Sequence, residues 1–398
     1  MVKITYEQLT NEQMLKVCCD WLMEQQNNEN FFNVFELGKQ RYEWYMIMYS
    51  VRTLILGGKL LNEDKYIEAA LKYTDLYISE QLPNGGFTSN YRKTPSSKLD
   101  KKGLHEILRF GRVNLADNGS NVLAVLQAVP YVDINKQAVY LNAARRWFDE
   151  WVAIWSLPEG GYGNGIWVGH KLNSPYSVAM SMVAAAFSAF SKLTGEYEYV
   201  ENAERCMTFH CSKWTDEDDG RPIYFDCYPL PSEKTLSDFG HSFYLLEGMC
   251  WTHFASNNAD VKSILEDRLK MFIFGPKGLL SQWGDSWFNF MVKATAADDT
   301  RFKLRLGWEM AKSNGIMHCF LYYLNHIEDN EILREKVNLG LKYLTHPLKS
   351  RMSGVMSDPE ESYGAFAVQS TGFAGLSLAE AIKADSVFSL SLPSINTN

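Results

Sequence analysis

The chain of 398 residues carries 39 Lys and Arg against 47 Asp and Glu, a net charge of -8, and is 46% hydrophobic and 14% aromatic. That composition excludes extended disorder and gives no global attraction for nucleic acid or an anionic membrane surface. Seven cysteines, an odd number with no Cys-x-x-Cys pair, read as free thiols of a reducing compartment, so a cytoplasmic location is expected.

The first segment, MVKITYEQLTNEQMLKVCCDWL, holds acidic residues early and no uninterrupted apolar core, so it does not read as a secretory leader. Periodicity of about 3.6 predicts helices over 8–26, 39–57, 63–81, 117–130, 136–155, 175–193, 197–213, 237–256, 259–273, 303–326, 330–345 and 366–383. No membrane span is expected: the longest weakly polar run, Val178 to Phe190, falls short of the ~18 residues needed.

The joins between these helices alternate. Short ones (GKLLNE, YVDIN, LTGE, ASNN, IEDN) are followed by long ones of about 20 to 35 residues, each opening on a turn signal: LPNGG, LPEGG, DEDDG, FGPKG, RMSG. Such alternation in an antiparallel series puts all short joins at one end and all long joins at the other. The repeating unit is a helical hairpin of roughly 65 residues, and six hairpins can close into a ring. One helix set is charged along one face, as in NKQAVYLNAARRWFDEWVAIW, which suits an outer layer. The other is rich in Gly, Ala and Ser, as in SPYSVAMSMVAAAFSAF, which suits close packing inside. The fold class read from this pattern is all-α, an (α/α)6 toroid with short strands in the long joins. It spans residues 1–385 as one domain and leaves 386–398 as a tail.

By this alternation and its GGF and GGY turns, the chain resembles the six-hairpin glycosidase superfamily, which includes uronyl hydrolases, sugar 2-epimerases and polysaccharide lyases. The resemblance implies a saccharide substrate at the long-join end, against the N-termini of the inner helices. It also makes Asp117, in LADNGSNVLAV, a candidate acid or base, because the uronyl hydrolases place a catalytic Asp at the start of an inner helix in a similar stretch. The other reading of Asp117 is an N-cap for that helix. SDFGHSFYLLEG supplies Asp238 and His241 three residues apart, on one helix face; an epimerase-like Gly-His-x-x-Glu is broken by Tyr244, which counts against epimerisation. Glu309 lies near the start of a later inner helix, whereas His318 and Glu247 lie deeper and read as core.

Loop aromatics and arginines complete the expected binding face: Tyr91, Tyr162, Trp167, Tyr224, Trp283, Trp287 and Phe288 as platforms for sugar C–H faces, and Arg92, Arg109, Arg112, Arg301 and Arg305 as partners for a carboxylate or sulfate. For each of these the plainer reading is loop packing or pairing with a loop acid. The acidic run at 216–219 reads as a solvated turn, neither a terpene-cyclase acid nor an EF-hand. No metal or nucleotide motif is present, so no cofactor is expected. The expected activity is hydrolysis of a small, uronate-bearing or neutral oligosaccharide. The alternatives are a terpenoid cyclase or isomerase and a non-catalytic sugar-binding protein.

Overall fold

The computed structural model describes residues 7–27, 34–36, 39–41, 43–92, 95–213, 223–226, 233–236, 239–276, 278–282, 302–356 and 367–390. For 27, 34–36, 39–41, 223–226, 233–236, 239–242, 281–282 and 302–312 it describes the course of the backbone alone. In chain order the helices are α1 (Asn11–Asn27), α2 (Trp44–Leu61), α3 (Asp64–Ser79), α4 (Lys101–Phe110), α5 (Leu115–Ala128), α6 (Ile134–Arg146), α7 (Ser177–Thr194), α8 (Tyr197–Ser212), α9 (Phe239–Ala255), α10 (Ala259–Phe274), α11 (Phe302–His326), α12 (Glu331–Leu344), α13 (Pro347–Met352) and α14 (Ala367–Ile382).

Among the described residues six helices form an inner ring. Each packs on the next in the order α2, α5, α7, α9, α11, α14, and α14 returns to α2. Outside them α3 lies on α2, α6 on α5, α8 on α7, α10 on α9 and α12 on α11, while α1 covers the seam between α14 and α2. This is the (α/α)6 toroid that the helix alternation predicts. The composition explains the layering: α3 buries Tyr66, Ala70, Tyr73, Thr74 and Tyr77, one stripe at helical spacing, whereas α7 is buried nearly all round. Small residues let the inner helices touch backbone to backbone; a Cβ on Gly248 of α9 would fall 2.6 Å from the Ser181 carbonyl of α7. The 18-residue α7 is long and apolar enough to cross a membrane, and 89% of it is buried in the ring, so a window longer than the Val178–Phe190 run meets that test.

The two Gly-Gly turns are the same structure. Leu82 N–H donates to the Gly86 carbonyl and Gly85 N–H to that of Leu82, and Leu157, Gly161 and Gly160 repeat the pattern. Gly85 (φ 78°) and Gly160 (φ 108°) sit in the left-handed region, where a side chain is strained. Each turn abuts the next outer helix, Gly85 against Arg146 and Gly160 against Arg205. After the second turn the chain runs on as a short strand, and after the first as an extended segment. Strands β1 (Val34–Glu36) and β2 (Lys39–Arg41) pair ahead of α2, and at the long-join end β3 (Arg112–Asn114), β4 (Gly165–Trp167) and β5 (His170–Leu172) form an antiparallel sheet.

Side chains that meet across the ring close its axis. α2 and α9 stand opposite each other, and Arg52 Nη2 of α2 lies 2.7 Å from Glu247 Oε1 of α9, both side chains fully buried. Tyr49 donates to Glu247 Oε2 at 3.1 Å, Arg52 Nε donates to Gln127 Oε1 at 2.7 Å, and His318 Nε2 is 3.6 Å from Glu247 Oε1. Burial pushes the Glu247 carboxyl upward, but Arg52 and His318 outweigh it and hold it at about 2. One turn nearer the inner-helix N-termini, Tyr49, Phe243, Tyr244 and Phe373 pack against one another. His318 and Glu247 are thus core groups, as their depth in the sequence implies.

At the short-join end, residues 383–390 form a strap, which takes in the first described residues of the 386–398 tail. Val387 and Phe388 are fully buried, Phe388 against Trp251 and Tyr322, and Gln127 donates to the Val387 carbonyl at 2.7 Å.

Candidate functional site

The long-join end collects the N-termini of the inner helices, and its best-defined part is the entry to α5. Asn114 ends β3 and caps α5: its Oδ1 accepts from the Asp117 N–H at 2.8 Å, while its Nδ2 donates to Asp117 Oδ2 at 2.6 Å and to Ser89 Oγ at 2.9 Å. Asp117 is therefore not the cap. It stands at the third helical position, half-buried, and its Oδ2 accepts from the Asn114 amide. That placement is compatible with the acid or base expected from the sequence. Asn118 reinforces the entry, donating to the Phe87 and Asn114 carbonyls at 2.7 Å each and accepting from Tyr77 at 2.8 Å. The extended segment that follows the first Gly-Gly turn contacts this entry through Phe87 and Ser89.

That segment also staples α2 to β3. Trp44 N–H donates to the Ser89 carbonyl and Ser89 N–H to that of Arg112, while Glu43 bridges to Asn90. Ser89 points toward Asn114, and Thr88 and Asn90 point the other way, into a cavity of about 430 Å³. The cavity's polar lining is Glu43, Thr88, Asn90, Arg92 and Arg112; its apolar lining includes Ile107, Phe110 and Val168. Asp117 is not part of that lining.

The arginines are largely engaged. Arg112 lies 3.1 Å from Glu43, which is almost wholly buried, and its guanidinium sits 4.2 Å from the centre of the Trp167 ring. Arg92 Nη2 donates to the Glu80 carbonyl at 2.7 Å and to Ser96 at 2.9 Å, while the Glu80 carboxylate accepts from Trp44 Nε1 and from the Arg92 backbone N–H. Arg109, exposed on α4, lies over its neighbour Phe110.

Two aromatics expected as platforms pack instead. Tyr162 is only 3% exposed and contacts Phe187, which matches the burial of Phe87 at the equivalent place in the first turn. Tyr91 stands edge-on to Trp44 at 5.2 Å. Trp167 stays half-buried in β4. His241, Arg305 and Glu309 belong to α9 and α11, and Tyr224 to β6 (Ile223–Asp226), in stretches described by backbone alone. Asp238, Trp283, Trp287, Phe288, Arg301 and the run 216–219 lie outside the described residues.

Reading the sequence missed Asn114, Ser89, Glu43 and Glu80. Asn114 had a signal, an Asn three residues before an Asp at the head of an apolar helix, which is the capping pattern. At the next inner helix, Ser177 Oγ is 2.9 Å from His210 Nε2, and burial pushes His210 down to about 4, so it is neutral and ties α7 to α8. The six described cysteines are buried and free.

No family model and no curated protein matches the chain. Solved structures do. A family 76 alpha-mannanase of Bacteroides thetaiotaomicron is similar at 11% identity and TM-score 0.59, over 94% of this chain and 97% of that one. A family 88 glycosyl hydrolase from Bacteroides vulgatus is similar at 12% identity and TM-score 0.58, over 94% and 99%. Dfg5 from Chaetomium thermophilum, solved in complex with glucosamine, is similar at 12% identity and TM-score 0.57, over 94% and 92%. At such identities the likeness shows the fold, and the fold is the six-hairpin toroid that the helix alternation implied.

Proposed function

We propose that this protein is a carbohydrate-active enzyme that hydrolyses a small oligosaccharide at the long-join end of the toroid, with Asp117 as its ionised catalytic carboxylate. The observation that carries this reading is the placement of Asp117: half-buried at the head of an inner helix, oriented by Asn114 and backed by Ser89. Saccharide-acting proteins that share the fold at full length support the substrate class. In the mechanism we favour, Asp117 takes a proton from water as the water attacks the anomeric carbon, and a second group protonates the leaving oxygen. Asp238, His241 and Glu309 are the candidates for that second group. The free, buried cysteines support a reducing compartment, the cytoplasm.

A terpenoid cyclase needs a deep apolar chamber, and here the axial aromatics of α2, α9 and α14 fill the space between them by packing on each other. The reading is tested by turnover of Asp117→Asn on a panel of neutral and uronyl disaccharides that the wild type cleaves. Loss by a factor of about 10² to 10⁴ is expected; undiminished turnover removes Asp117 from the mechanism. Binding without cleavage by the wild type would favour the sugar-binding alternative.

A further inference from the structure

The cavity beyond segment 88–90 is not used by the reading above, and its charges are already met. Glu43 lies 3.1 Å from Arg112, and Arg92 faces the buried Glu80 carboxylate. What the lining leaves open to a ligand is neutral. Phe110 is 63% exposed and Val168 48%, large apolar surfaces turned to solvent at one opening. Beside them Asn90 is exposed. Its backbone carbonyl accepts from Thr88 Oγ1 at 2.9 Å, while its side-chain amide, a donor and an acceptor, has no partner among the described residues. A pyranose has the matching make-up, an apolar C–H face bordered by hydroxyls that donate and accept.

This platform is fixed in place. Val168 has φ 48°, in the left-handed region that strains a β-branched residue. Its N–H donates to the Gly111 carbonyl at 2.9 Å, and Gly169 (φ 78°) packs on the Arg109 carbonyl. The tip of the β4–β5 turn is thus fastened to the end of α4, which sets Val168 on the same rim as Phe110. Surfaces ordered before binding cost little to order when a ligand arrives. At about 430 Å³ the space is within the size range of small-ligand pockets. Its position suits a neighbour of the reacting unit: on β3, Arg112 lines the cavity and Asn114, two residues on, bonds Asp117, a step of about 7 Å along a strand.

We propose that this cavity is an accessory subsite for a neutral sugar residue, whose C–H face lies on Phe110 and Val168 and whose hydroxyl edge meets the Asn90 amide. The inference rests on the saccharide reading for the nature of the ligand and extends it: the substrate continues past the unit cleaved at Asp117, and the residue held in the cavity is uncharged.

Calorimetric titration into the full chain tests it, using tetrasaccharides of glucose, mannose, galactose and xylose and one that bears a uronate. Phe110→Ala, Phe110→Tyr, Asn90→Ala and Asp117→Asn are measured beside the wild type. At least one neutral tetrasaccharide should bind as tightly as the uronate-bearing one or more so. Phe110 and Asn90 are exposed, so their variants keep the fold. Phe110→Ala should weaken the favoured neutral tetrasaccharide about threefold to tenfold, Phe110→Tyr should restore it, and Asn90→Ala should weaken it about threefold. Undiminished binding by Phe110→Ala, or tighter binding of the uronate-bearing tetrasaccharide than of every neutral one, overturns the proposal. Asp117→Asn should keep the wild-type affinity while losing turnover. If it keeps turnover and Phe110→Ala still weakens binding, the Asp117 assignment fails and the subsite stands. If it loses turnover and Phe110→Ala binds as the wild type does, the subsite fails and the Asp117 assignment stands. Binding of none of the five by the wild type sinks both.

Discussion

Asp117 and Glu247 are both carboxylates on inner helices of the same ring, yet their settings differ in every respect that matters for chemistry. Glu247 lies on the axis, with no exposure and a guanidinium 2.7 Å away. Asp117 lies at the mouth, half-buried, and accepts from the Asn114 amide at 2.6 Å. A charge that is fully compensated and sealed from solvent is committed to the fold. A carboxylate left within reach of solvent is open to a reaction, as proposed for Asp117. On that proposal the two settings separate a structural acid from a catalytic one.

The comparison breaks most readily if the two acids are neutralised in turn. Asp117→Asn should lower turnover by about 10² to 10⁴ while moving stability by less than ~1 kcal/mol, since the Asn114 cap survives. Glu247→Gln should do the reverse: removing one partner of a buried pair leaves Arg52 uncompensated, at a cost of about 3–5 kcal/mol. Urea unfolding together with steady-state kinetics on both variants reads this directly. A Glu247→Gln protein of wild-type stability would show that the axial pair is not structural.

Acidity sharpens the contrast. The Glu247 carboxyl is held at about 2 in the fold against an ordinary value near 4.5. A depressed carboxylate contributes stability that is complete above pH ~4.5 and is lost as pH falls through the folded value. Glu380, buried at the end of α14 beside the strap, behaves oppositely. Burial pushes it up to about 7, so its contribution is complete below pH ~4.5 and declines as pH rises toward 7. Melting temperatures of Glu380→Gln and wild type should therefore converge or cross between pH 4.5 and 7, an effect on the order of 1–3 kcal/mol. Parallel curves over that window would show that Glu380 does not titrate there.

What could be read in advance follows from the range of the interactions. The toroid was legible because helical period and join length are local, and the small-residue inner helices announce close packing in their own composition. Asp117 was legible as a candidate because it heads such a helix. Its role as an N-cap was misread because the helix begins at Leu115, two residues earlier than the predicted 117, and the cap falls to Asn114. Tyr162 was misjudged although its twin, Phe87, occupies the same place after an identical turn; the repeat carries its buried aromatic with it. The helix α4 escaped notice inside a long join, so Arg109 and Phe110 read as loop residues. Partnerships such as Arg112 with Glu43, 69 positions apart, depend on the closed ring and have no local signature.

The smallest test concerns the hydroxyl that links the aromatic layer to the axial pair. Tyr49 donates to Glu247 Oε2 at 3.1 Å and also packs on Phe373 with ring centres 4.3 Å apart. Tyr49→Phe keeps the ring contact and removes only the donor, so no cavity forms and the whole effect is one hydrogen bond to a charged acceptor, about 1.5–3 kcal/mol. Burial and the neighbouring Glu247 push the phenol well above its ordinary value, so it remains a donor at all working pH. If Asp117 carries the chemistry and Glu247 the fold, Tyr49→Phe lowers the unfolding midpoint and leaves turnover at its wild-type rate. A loss of turnover with unchanged stability would mean that the axial layer reaches the reaction, and the division drawn between the two acids would not hold.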